Sequence, residues 1–139
     1  SVIETTSTIN TSTWKTYNSS AFGFTAKYPS TWEARESTDG ATFALKETPA
    51  SGLGVFTTNN DLVALTDIVV STATRTIGAN KAITKRYRDK DAAAAGITDM
   101  DTILTTVVVG SKSFYLTYRA TDPDLKTIEA IIKTVTFTS

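Results

Sequence analysis

The chain contains no cysteine and no histidine. Without cysteine there is no disulfide framework, no thiol nucleophile and no thiolate zinc site. Without histidine the one side chain that titrates near neutrality unperturbed is missing, and Ser–His and Cys–His nucleophile systems are excluded. No apolar run approaches the eighteen residues that a membrane-spanning helix needs. Fourteen basic side chains are balanced by fourteen acidic ones, so the net-basic footprint of a nucleic-acid binder is lacking. Three prolines and seven glycines among 139 residues leave room for regular structure.

What the chain has in excess is hydroxyl. Thr occurs 28 times and Ser 12 times. Threonine fits a pleated surface through its β-branch, and its hydroxyl keeps an outward sheet face hydrated. The length suits one domain with a real core. The start at Ser1, without a charged and apolar leader, fits an exported mature chain, and an extracytoplasmic location is the expectation.

Residues 1–13, SVIETTSTINTST, form a low-complexity arm ahead of a single domain at 14–139. Two readings stand side by side. As a linker, the arm would tether the domain to a membrane anchor on the precursor. As a strand, it puts Ile3, Thr5 and Ile9 on one side, with Val2, Glu4, Thr6 and Thr8 on the other. It would then lie on this molecule's own sheet or serve as an assembly arm seated on a protein partner, including another copy of the same chain.

Alternation predicts strands along most of the domain. Phe22, Phe24, Ala26 and Tyr28 share one face, and Pro29 ends that run. WEARES and ATFALKE follow, joined at Asp39-Gly40, with a brief strand at Val55-Phe56. Leu62, Leu65, Ile68, Val69 and Thr72 are spaced for a helix capped by Asn60 or Asp61, although VVSTATRT reads equally well as strand. DAAAAG predicts a short helix ended by Gly96. MDTILTTVVV and SFYLTYRA make a hairpin around Gly110. Asp122 as cap and Pro123 at the first helical position open a last helix striped by Leu125, Ile128, Ile131 and Ile132.

The segment WKTYNSSAFGFTAKYPSTW, from Trp14 to Trp32, joins a Gly-Phe strand to a Tyr-Pro-x-x-Trp corner. Together with the closing hairpin, the capped Ile-striped helix and the last Phe-bearing strand, it resembles PsbP-like domains. The resemblance covers the two ends of the chain, and residues 48–98 do not align. It implies an α+β fold, an antiparallel sheet with helices packed on its faces. It also implies an exported, often lipid-anchored protein, but carries no reactive site. Phe22, Phe24, Tyr28 and Trp32 read as core rather than ligand-binding residues.

Three constellations could carry chemistry. Asp89, Asp91, Asp99 and Asp101 could offer carboxylates to calcium, but lack EF-hand spacing and sit beside Lys85, Arg86, Arg88 and Lys90; solvated ion pairs account for them better. A carboxylate pair working as a hydrolase is a formal rival, with Glu129 expected on the outer face of its helix. The basic run Lys81, Lys85, Arg86, Arg88 and Lys90 reads as a surface ion-pair patch. Asn10 and Asn18 match the N-glycosylation pattern. No cofactor and no metal are expected. The expectation for function is a non-catalytic extracellular structural or interaction protein that assembles by strand addition, with a lipid-anchored accessory or ligand-binding domain as the alternative.

Overall fold

The computed structural model describes residues 11–48, 51–58 and 66–137. Among these residues ten strands and two helices follow in chain order. These are β1 (Lys15–Ser19), β2 (Phe24–Tyr28), β3 (Trp32–Glu36), β4 (Gly40–Leu45), β5 (Leu53–Phe56), β6 (Ile68–Ile77) and β7 (Asn80–Arg88), then α1 (Lys90–Ala94), β8 (Thr102–Val109), β9 (Lys112–Arg119), α2 (Leu125–Thr134) and β10 (Thr136–Phe137). All pairing is antiparallel. A seven-stranded sheet runs β3-β4-β5-β9-β8-β7-β6, and a three-stranded sheet runs β1-β2-β10.

Register decides which side of each strand is buried. Ala82, Val107 and Phe114 lie opposite one another across β7, β8 and β9, and all three are buried. Leu116 continues that face through Val55 to Ala41. Over it sit Ile128, Ile131 and Ile132 of α2 and the small sheet, joined in one core cluster. Aromatic rings couple the layers: Phe114 lies 6.3 Å from Phe24 and 4.5 Å from Phe137, and Tyr17 lies 5.5 Å from Phe43. Phe24 and Trp32 are buried, while Phe22 and Tyr28 pack partly buried against the cluster.

The opposite face is wetter. Ile83 and Val108 there are 48% and 60% exposed. The other helix, α1, has five residues and buries only Ala92.

Two expectations need correction. Ile68, Val69 and Thr72 are strand, not helix: they belong to β6, which pairs with β7 through a bulge between Val69 and Ser71; Leu62 and Leu65 lie outside the described residues. The β-branched, Thr-rich run follows its pairing partner rather than its apolar spacing. Asp122 does not cap the last helix, which begins at Leu125. Its buried carboxylate instead accepts hydrogen bonds from the Gly52 and Asp124 N–H groups at 3.0 and 2.8 Å, pinning the start of β5 to the approach of α2. Gly40 does more than serve a turn. The turn is there, with Ser37 N–H donating to Gly40 O at 2.8 Å, but a Cβ on Gly40 would stand 2.2 Å from Val55 O, so close strand packing demands glycine.

Candidate interaction surface

β6 forms one edge of the large sheet, and nine of its ten residues are exposed or only partly buried. Its sequence, IVVSTATRTI, has neither proline nor lysine, the residues by which sheet edges are usually blunted. The opposite edge, β3, follows Pro29 and carries Glu33, Arg35 and Glu36 within five residues. The two edges therefore differ in chemistry. β3 is protected by charge, whereas β6 offers its outer row of backbone N–H and C=O groups beside exposed Ile68, Val69 and Val70. Among the described residues no strand pairs with that outer row.

The wet face continues this edge inward. Thr74 lies opposite Ile83, and Ile83 opposite Thr106. The short threonines leave Ile83 and Val108 uncovered on a shallow shelf of about 740 Å³, bordered by Thr76 and Lys81. A smaller cleft of about 270 Å³ lies over Thr42, Gly54, Phe56, Thr117 and Arg119. Neither is lined by Asp or Glu.

The strand period splits the basic run. Lys81 and Lys85 point to the wet face, while Arg86 and Arg88 share the other side of β7, and both reach Asp101. The Asp101 carboxylate is inaccessible to solvent. It accepts from Arg86 Nε at 2.5 Å and from Arg88 Nε and Nη2 at 2.8 Å each. Hydrogen bonding to Arg88 is the main cause that holds its pKa at about 2, against a smaller opposing push from burial. The arginines form the ion pairs the sequence suggests, but Asp101 is a buried acid rather than a solvated one, because it stands just ahead of β8 beneath both guanidinium groups.

That pairing also removes Asp101 from any calcium site. Asp89 is committed as well, since its carboxylate caps α1 by accepting from Asp91 N–H and Ala92 N–H. Among the described residues no three acidic groups converge on one ion position.

Glu129 is a further correction. It faces the sheet rather than solvent alone, accepting both Arg75 Nη groups at 3.1 Å and the Tyr118 hydroxyl at 3.3 Å. Burial, reinforced by Glu129, pushes the Tyr118 phenol up to about 12. The site is half open, so Glu129→Ala should cost less than about 1 kcal/mol in chemical denaturation.

Asn18 is exposed on β1, opposite Thr25, while Asn10 and the arm residues Ile3, Thr5 and Ile9 lie outside the described residues. The sequence does not single out the β6 edge. Its signal was a ten-residue β-branched run without lysine or proline, obscured by a competing helical spacing.

No protein-family profile matches the chain, and no curated protein matches it. Solved structures do. The solution structure of cyanobacterial PsbP (CyanoP) from Synechocystis sp. PCC 6803 superposes with a TM-score of 0.59 at 12% identity, over 93% of this chain and 95% of that one. A crystal structure from Bacteroides thetaiotaomicron VPI-5482 gives 0.53 at 14% identity, over 91% of this chain and 49% of that one, so the present chain spans about half its length. The fold is PsbP-like. Among the described residues no helix is long and apolar enough to cross a membrane.

Proposed function

We propose that this PsbP-like domain is a non-catalytic, extracytoplasmic structural protein that assembles by accepting a partner strand along β6. The single observation that carries the reading is the ten-residue edge of β6, free of lysine and proline and flanked by exposed Val69, Ile83 and Val108. An added strand satisfies an edge's hydrogen-bonding groups, and its alternate side chains fill whatever apolar surface adjoins the edge. The absence of thiol and imidazole from the sequence and the commitment of Asp101 and Glu129 to arginines are consistent with work done by surface rather than by turnover.

The test is to place lysines on the edge. Thr72 and Thr74 are exposed, so Thr72→Lys/Thr74→Lys should change stability by no more than about 0.5 kcal/mol. The native chain should form assemblies above its 14.9 kDa monomer mass by light scattering. The double variant should remain at that mass with an unchanged thermal midpoint. Assemblies that persist in the variant, or a native chain that is monomeric at every concentration, would refute the proposal.

A further inference from the structure

Resting on that reading, we infer that the strand received by β6 is the stretch Ile3–Ile9 of a second copy of this chain. The first argument is reach. β1 is the outermost strand of the small sheet and lies on the β3–β4 side of the large one: Tyr17 OH donates to Glu36 at 2.6 Å, and the Tyr28 ring, opposite Lys15, is 5.5 Å from Phe43. A turn from Thr11 O to Trp14 N–H keeps Thr11 close to the start of β1. From β4 to β6 there are five strand spacings, about 24 Å. Ile9 is two residues from Thr11 and extends no more than about 7 Å from it. It therefore cannot sit on the β6 of its own molecule. On a second copy the restriction vanishes.

The second argument is spacing. Ile3 and Ile9 fall on the same side of an extended chain, six positions and about 20 Å apart. On the receiving sheet, the rows led by Val69 and Thr76 pair with Tyr87 and Lys81, also six positions apart. One isoleucine lies beside exposed Val69, and the other beside the shelf at Thr76 that leaves Ile83 and Val108 bare. The intervening Thr5 and Ser7 run beside Thr72 and Thr74, all four short enough to let the strands close. Donor and acceptor lie at opposite edges of the molecule, so the contact is heterologous and propagates head to tail as an open filament.

The experiment keeps the full chain throughout. Ile3→Asp/Ile9→Asp is compared with the native chain and with Thr72→Lys/Thr74→Lys by light scattering and electron microscopy. A synthetic peptide of residues 1–10 is added in excess to the native chain. Loss of filaments in both double variants, with at least a tenfold shortening by the native peptide and none by a peptide carrying the two aspartates, is the expected result. Filaments that survive the aspartates while the lysines abolish them would overturn the choice of occupant and leave the edge as the docking site. Filaments that survive the lysines would overturn the edge itself. A peptide that binds the lysine variant as tightly as the native chain would place the arm elsewhere and overturn the inference.

Discussion

Replacing Phe114 with alanine should lower the stability of the domain by about 3–5 kcal/mol, the range for truncating a fully buried aromatic. The ring is inaccessible to solvent and stands where three elements meet: β9 from which it projects, Phe24 of β2, and Phe137 of β10. Its removal leaves a cavity between the two sheets, and both aromatic pairings are lost with it. Domains of this size hold about 5–15 kcal/mol in total, so the thermal midpoint should fall by roughly 10–20 °C. Phe137→Ala is the control. Phe137 is only partly buried, on a two-residue strand, and should cost less than half as much. Equal losses in the two variants would show that the layers are not joined through Phe114.

Asp101→Ala should be the most damaging change among the charged residues. It removes the carboxylate that serves both Arg86 and Arg88. Breaking a buried pair usually costs about 3–5 kcal/mol, because the remaining charge is stranded. Here both arginines keep partial access to water, so the loss should sit near 2–3 kcal/mol. The pH dependence fixes the mechanism. The folded pKa of about 2 lies below the ordinary 3.8, so the carboxylate stabilises the fold above that ordinary value. Its contribution fades as pH falls from about 4 through about 2. The stability gap between the native chain and Asp101→Asn should be flat from pH 5 to 8 and close across that acidic window. A gap of constant size down to pH 2 would assign the effect to packing rather than to charge.

Much of the fold was legible because strand alternation is a local property. Phe24–Tyr28, the turn at Asp39-Gly40, the hairpin around Gly110 and the Ile128–Ile132 stripe each lie within a few residues, and each appears where alternation or helical spacing placed it, although Phe22 falls in the turn ahead of β2. The run from Ile68 to Thr76 reads as helix or strand alike for the same reason. Its apolar positions satisfy two periods, and only the pairing with β7 selects one. Asp122 and Glu129 were misplaced because their partners, Gly52 and Arg75, are 70 and 54 residues away.

By itself the sequence determined that thiol and imidazole chemistry are absent, that Thr-rich alternating segments build antiparallel sheet, and that Ile3 and Ile9 share a side when extended. Those properties depend on residue type and on neighbours a few positions away. The tertiary structure alone decided that β6 stands at a sheet edge with no described strand outside it, that charge is denser on β3 than on β6, and that Asp101 belongs to two arginines. Strand order and ion pairing arise from segments far apart in the chain, and their positions are set by which faces must be buried together.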